Sequence, residues 1–287
     1  MKRIICLLTV LCLLLTAGAA AADVYVNKPK PADWEERELL KLTCLGTVLN
    51  DALLLEVGGK TMLIDGGTGK WADKVQAAIN ERGLDNHVDV FYNSHPHDDH
   101  TEATIRMIHK GLTMDETIST FPPEYKAEWQ VKLMTALEEA GIPYRQLEYG
   151  EQMDFGGAHL QFWYDPTGRD PNAQSSICHI RWKNATVLLT GDMTGAASHH
   201  FIDNFTSEQL HADILKVPHH GLMIMVEDFL KMVDPEFAFV TSRMSTTEKV
   251  MNQLKRHKIQ YLYNSTGSIF METDGEDWYI TMTKGVF

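Results

Sequence analysis

The sequence predicts an α/β chain, a four-layer αββα sandwich in which helices cover two packed sheets. Two β-rich halves with helical segments between them carry this reading, and no linker or short-period repeat divides them. Three strand-like runs also end in metal-binding residue types: His95–His100, Gly191-Asp192 and His219-His220. Strands that deliver such residues to one end form the mouth of a site.

Residues 1–22 read as a signal peptide and stand apart from the fold. Lys2 and Arg3 precede an apolar stretch from Ile4 to Leu15, and small residues run to Ala20-Ala21-Ala22 before Asp23. The apolar run is shorter than the ~20 residues that a spanning helix needs, and a retained anchor is the competing reading. The expected location is secreted or extracytoplasmic, behind a bacterial-type signal, with no transmembrane segment in the mature chain. Residues 23–38 form an N-terminal lead segment, polar and proline-bearing from Asn27 to Asp33, and residues 39–287 form one large domain.

Within that domain, strand-like runs cover Leu39 to Leu45, Ala52 to Val57 and Thr61 to Ile64, with Gly58-Gly59 as a hairpin turn. Trp71, Val75, Ala78 and Ile79 give Lys70 to Arg82 a helical period that stops at Gly83. The strand Val88 to Tyr92 runs into the histidine cluster, and a helix is predicted to begin near His100 or Thr101 and stop at Gly111. A second amphipathic helix spans residues 124–140. Strands follow around Tyr144 to Leu147 and His159 to Tyr164, and a polar loop spans Asp165 to Gln174. The second half alternates strands at Ser176–Trp182, Ala185–Thr190, Asp213–Val217, Phe237–Thr241 and Gln260–Tyr263 with helices near 196–205, 226–232 and 246–257, and ends in a hairpin from Ser268 to Met282.

The segment His95-Pro96-His97-Asp98-Asp99-His100 carries the chemistry. Imidazole and carboxylate are the side chains that divalent transition metals bind. The i, i+2 spacing in an extended segment points His95 and His97 to one side, as one metal would require. Asp99 and His100 fall where the chain turns into a helix, beside a second position. Asp192 has two oxygens available to bridge two cations, and one histidine of the His219-His220 pair can complete the second. Two cations ~3.5–4 Å apart share a water and lower its pKa toward ~7.

At these residues the chain resembles the metallo-β-lactamase-fold hydrolases, and within them the soluble metallo-hydrolase domain of ComEC-type competence proteins and their free-standing secreted relatives. The resemblance runs from about residue 39 to the C-terminus. It rests on Asn50-Asp51-Ala52, Leu63-Ile64-Asp65-Gly66-Gly67, the 95–100 motif, Val187 to Asp192, Leu215 to Gly221 and Gly267-Ser268-Ile269. It implies the metallo-β-lactamase fold for residues 39–287 and one or two bound ions, Zn²⁺ first, with Mn²⁺ or Fe as substitutes. Carried over, it places His95 and His97 on metal 1, and Asp99, His100 and His220 on metal 2, with Asp192 bridging. Asp99 and His219 are the implied catalytic residues, His219 donating a hydrogen bond to the developing oxyanion, and Asp65 would orient a ligand. Asp98 reads as a surface neighbour.

The chain departs from the family in three places. The loop Asp165 to Ser176 has no histidine to complete metal 1, with Asn172 and Ser175 only partly matching the relatives' Asn-rich stretch. Glu102-Ala103 replaces the usual Gly-Gly, and Leu222-Met223-Ile224-Met225 follows His220-Gly221 where relatives carry a small polar residue.

The activity this implies is hydrolysis of a phosphodiester by a metal-activated water, with a small-molecule or cell-wall phosphodiester as substrate. A formal net charge of −13 disfavours duplex DNA, because an acidic surface repels a phosphate backbone. The ComEC-like alternative, a nuclease acting on DNA, has only the strip Lys249, Lys255, Arg256 and Lys258 to offer. A non-catalytic binding protein with a degraded metal site is the alternative from another class. Cys44 and Cys178 are expected as two buried free thiols, with a disulfide between them as the competing reading.

Overall fold

The computed structural model describes residues 22–283. The segment read as a signal peptide lies outside the described residues except for Ala22. The first half runs β1 (Asp23–Val26), β2 (Leu40–Cys44), β3 (Ala52–Val57), β4 (Lys60–Gly66), α1 (Ala72–Asn80), β5 (His87–Tyr92), α2 (Asp98–Ile108), β6 (Thr113–Ser119), α3 (Glu128–Ala140) and β7 (Tyr144–Gln146). The second half begins with β8 (Gln152–Phe155), β9 (Ala158–Trp163), β10 (Ile177–Trp182), β11 (Ala185–Leu189), α4 (Gly195–Asn204) and α5 (Ser207–Leu210). It continues with β12 (Ile214–Lys216), α6 (Glu227–Val233), β13 (Phe237–Val240), α7 (Glu248–Arg256), β14 (Gln260–Tyr263), β15 (Ile269–Thr273) and β16 (Asp277–Met282).

Among the described residues these strands form two sheets, in the orders β1-β16-β15-β2-β3-β4-β5-β6-β7 and β14-β13-β12-β11-β10-β9-β8. Alternation along single strands builds the four layers. In β3, Leu53, Leu55 and Val57 pack between the sheets, while Ala52 and Leu54 pack against the helices α1, α2 and α3. In β13, Phe237 and Phe239 face the partner sheet, and Ala238 and Val240 face α4, α6 and α7. Strands covered on both faces read as continuous apolar runs, which is why they were legible as runs rather than as alternation. The predicted αββα sandwich is the observed architecture.

Several elements differ from the sequence reading, among them α3, which starts at Glu128 instead of residue 124, and the unpredicted short helix α5. Helix α2 starts at Asp98, with His97 as its extended N-cap, two residues before the expected start. Asp98 and Asp99 occupy the first turn, where carboxylates meet the positive end of the helix dipole. Strands β6 and β8 were not predicted. Only Met114 and Ile118 among the seven residues of β6 are large and apolar, and Asp115 and Glu116 interrupt them. Parallel pairing with β5 and β7 on either side holds β6 in place, a gain invisible in its own sequence. The lead segment also contributes structure, since β1 pairs in parallel with β16 and Trp34 is buried beside it.

The parallel strands β4, β5 and β6 in one sheet, and β11, β12 and β13 in the other, direct their C-terminal ends to one edge. Ligand sites in α/β sheets lie at such edges. Ser176 ties the two sheets together there, its backbone N–H and hydroxyl both donating to the Ser94 carbonyl at 3.1 and 3.0 Å. No helix among the described residues is long and apolar enough to cross a membrane. Cys44 and Cys178 are buried free thiols, and burial raises both above the usual thiol range.

Candidate metal centre

Four strand ends and one strand start meet at this edge. Strand β4 delivers Asp65, the turn after β5 and the first turn of α2 deliver residues 93–100, the end of β11 delivers Asp192, the end of β12 delivers Lys216 to His220, and the start of β3 brings Asp51. Gly191 makes one of these approaches possible. Its φ is +47°, and a Cβ there would lie 2.2 Å from the Ser175 hydroxyl, the group that accepts the Asp192 N–H at 3.0 Å. Asp65, His219 and His220 hold left-handed backbone with φ of 52°, 49° and 53°. Each such non-glycine residue costs about 1–3 kcal/mol, and residues of this kind cluster where a site needs its side chains aimed.

Asp192 is the hub. One of its oxygens, Oδ1, lies 3.2 Å from His100 Nε2 and 3.7 Å from Lys216 Nζ. The other, Oδ2, lies 3.3 Å from His220 Nε2, 3.7 Å from His219 Nε2 and 3.9 Å from His95 Nε2. Asp99 faces the same ring nitrogens from the opposite side, with Oδ2 at 3.1 Å from His220 Nε2 and Oδ1 at 3.8 Å from His100 Nε2. His97 Nδ1 stands 3.1 Å from His95 Nε2. All the sequence-predicted site residues are therefore within one cluster. His220 is the buried member of its pair, whereas His219 keeps a quarter of its side chain exposed.

Behind the rings stands a further set of groups. Asp65 accepts from the Ser94 N–H and hydroxyl at 2.9 and 2.7 Å, and lies 2.8 Å from His100 Nδ1. With Nδ1–H donating to Asp65, His100 presents its Nε2 lone pair to the site. His220 Nδ1 lies 2.9 Å from the Thr241 hydroxyl and 3.3 Å from Asp51 Oδ1. Lys216, fully buried, pairs with Asp51 and donates to the Gly191 carbonyl at 2.6 Å. Sequence reasoning assigned no site role to Asp51 or Lys216. A signal was available in a lysine inside the apolar run Ile214-Leu215-Lys216-Val217, a position that a buried strand gives to a charge only when it is paired.

These atoms fit a divalent cation. Asp51, His100, Asp192 and His220 offer ligand atoms all within 4.8 Å of one another. The contact pattern separates them: Asp51 touches Nδ1 of His220 and the lysine, on the far side from Asp192, so Asp99 is better placed than Asp51 to join the other three. His100 Nε2 and Asp192 Oδ1 are both buried without a hydrogen-bond partner although they face each other at 3.2 Å. That separation is close to the edge expected between tetrahedral ligands at ~2.0–2.1 Å from an ion. Charge leads to the same fit, since Asp51, Asp65, Asp99 and Asp192 meet the single ammonium of Lys216 in a nearly closed cluster. Unpaired buried charge is costly, so these carboxylates favour a positive partner among them, be it protons on His100 and His220 or a cation.

The electrostatics reflect that surplus. Burial opposes the charged form of His100 and His220, but neighbouring carboxylates, Asp192 first, outweigh it and raise both well above the ordinary imidazole range. Burial likewise opposes ionisation of Asp99, and the histidines beside it still hold it down to about 2. Burial and the charge on His100 lower His95, and burial lowers His219. A field that draws protons onto His100 and His220 draws a metal ion to the same nitrogens, with those protons released.

No family model matches the chain, and no curated protein matches it in sequence. In structure it is similar to CmlA, a diiron β-hydroxylase from Streptomyces venezuelae, at 12% identity and a TM-score of 0.52 over 86% of this chain and 55% of that one. A mutant of the same hydroxylase gives a TM-score of 0.54 at 12% identity, over 82% of this chain and 53% of that one. The metallo-β-lactamase fold protein YhfI from Bacillus subtilis gives 0.51 at 13% identity, over 78% of this chain and 95% of that one. The chain spans about half the length of the hydroxylase and nearly all of YhfI. The fold is the metallo-β-lactamase fold.

Proposed function

We propose that the protein is a metal-dependent hydrolase of phosphodiesters. The observation that carries this reading is Asp192, whose Oδ1 lies 3.2 Å from His100 while its Oδ2 lies between His220 and His95, at 3.3 and 3.9 Å, so the carboxylate reaches both histidine sets. A carboxylate so placed suits two adjacent cations, His95 and His97 serving one and Asp99, His100 and His220 the other. Zn²⁺ suits the nitrogen-rich set, and Mn²⁺ or Fe the oxygen share. When bound, such ions polarise a phosphoryl oxygen and generate a nucleophile from water near neutral pH.

The chain's own residues would do the rest. Asp65 behind His100, and Thr241 together with Asp51 behind His220, fix their tautomers, and Asp99, the more accessible carboxylate of the cluster, can accept a hydrogen bond from the attacking water and orient it. His219, whose partial burial disfavours the charged imidazole, can donate to the oxyanion on the substrate side. The loop without a histidine brings Asn172 Nδ2 to 3.4 Å from His219 Nε2, so Asn172 stands beside His219 at the place where that loop has no histidine to offer.

The acidic surface and the pairing of Arg256 with Glu227 at 2.9 Å weigh against the nuclease alternative. The intact cluster weighs against a degraded site. The test is hydrolysis of bis-p-nitrophenyl phosphate by the purified chain with Zn²⁺ or Mn²⁺. Activity is expected to vanish on chelation and in Asp192→Ala, and activity that survives both would refute the reading. Secretion is part of this proposal and is checked by fractionating cells that express the full chain.

A further inference from the structure

Seven large hydrophobic side chains stand exposed among the described residues, and five of them belong to three segments that lead directly out of the metal centre. Leu222, Met223 and Ile224 follow His220 and Gly221. Leu49 precedes Asp51 by two residues, and Met244 follows Thr241 by three. The three segments are joined to one another at the site. The Leu49 N–H donates to the Thr241 carbonyl at 3.1 Å, the Thr241 hydroxyl meets His220, and the Leu222 N–H donates to the His219 carbonyl at 2.9 Å. Met223 and Ile224 also line a small cavity with His219.

Isolated exposed apolar residues need no explanation, but five that stand within four residues of His220, Asp51 or Thr241, two of them lining a cavity with His219, do. A net charge of −13 repels an anionic substrate at long range, so its recognition must come from short-range contacts. We infer that the Leu222-Met223-Ile224 rim, with Leu49 and Met244, binds an apolar chain attached to the phosphodiester, making the substrate an amphiphile. This rests on the phosphodiester reading above and adds the substrate class to it. The same negative charge disfavours adhesion of the rim to an anionic bilayer, and the continuity of the rim with the metal ligands favours the substrate itself as its occupant.

The experiment compares two diester probes, dimethyl phosphate and methyl octyl phosphate below its micellar concentration, binding to the Zn²⁺-loaded full chain by calorimetry. The octyl diester is expected to bind at least tenfold more tightly. In a Leu222→Ser, Met223→Ser, Ile224→Ser variant that preference is expected to disappear while dimethyl phosphate binding stays within twofold. A Leu49→Ser, Met244→Ser variant, altered on the other two segments, provides the same readout if the first does not fold. Equal binding of the two diesters, or a preference that survives in the folded variants, would overturn the inference. So would rim-dependent dimerisation, or rim-dependent binding to phosphatidylcholine vesicles, without chain-length dependence. An octyl preference without turnover of any phosphodiester would uphold the rim and remove the proposed reaction.

Discussion

The two halves of the candidate metal centre are built from the same residue types and supported differently. On the inner half, His100 and His220 have carboxylates at their Nδ1 atoms, Asp65 at 2.8 Å and Asp51 at 3.3 Å, and both rings are buried. On the outer half, His95 Nδ1 meets only the hydroxyls of Ser94 and Ser175, at 3.1 and 3.4 Å, while His97 and His219 are partly exposed. A carboxylate behind an imidazole fixes its tautomer and raises its basicity, and a hydroxyl does so far less. The same cluster therefore offers one strongly prepared position and one loosely prepared one, with Asp192 shared between them.

The largest effect is expected from the support of the inner half. Lys216→Met leaves Asp51 buried without its ammonium, and breaking such a pair costs about 3 kcal/mol or more. Urea unfolding of the metal-free protein should show that loss, and replacing Asp51 by Leu in the same chain should recover part of it. Full stability in Lys216→Met alone would mean that the pair does not hold the inner half.

Asp65→Asn probes the carboxylate behind His100. Metal affinity at the tight position should fall roughly 10–100-fold, with the loose position little changed. A competitive chelator titration separates the two, and equal weakening of both would erase the asymmetry. The smallest effect is expected in His97→Ala. Equilibrium dialysis should show the weaker equivalent of Zn²⁺ lost and the tighter one retained with less than a tenfold change, while the unfolding midpoint of the metal-free protein stays close to that of the parent chain.

The 95–100 cluster was legible as a candidate site because its members are adjacent in sequence and sit at the end of a run of strand-forming residues. The central place of Asp192 in the cluster was legible because Gly191 before it ends another such run. Asp51 and Lys216 were not read as site residues, since each is a single charge beside an apolar strand and only their approach to each other, 165 positions apart, gives either a purpose. The β6 strand escaped for a related reason, because its pairing energy comes from neighbours on both sides and not from its own pattern.

What the sequence determined by itself was the layered fold and the edge where the chemistry gathers, because strand periods and ligand spacing are local properties of the chain. What the tertiary structure decided was the orientation of each candidate ligand. His219 and His220 are adjacent and alike in sequence, yet consecutive left-handed residues swing their rings to different places. His220 settles against Thr241 and Asp51, while His219 turns toward Asn172 and the solvent. A choice between neighbouring side chains depends on the backbone path between packed strands, and that path exists only once the two sheets have met.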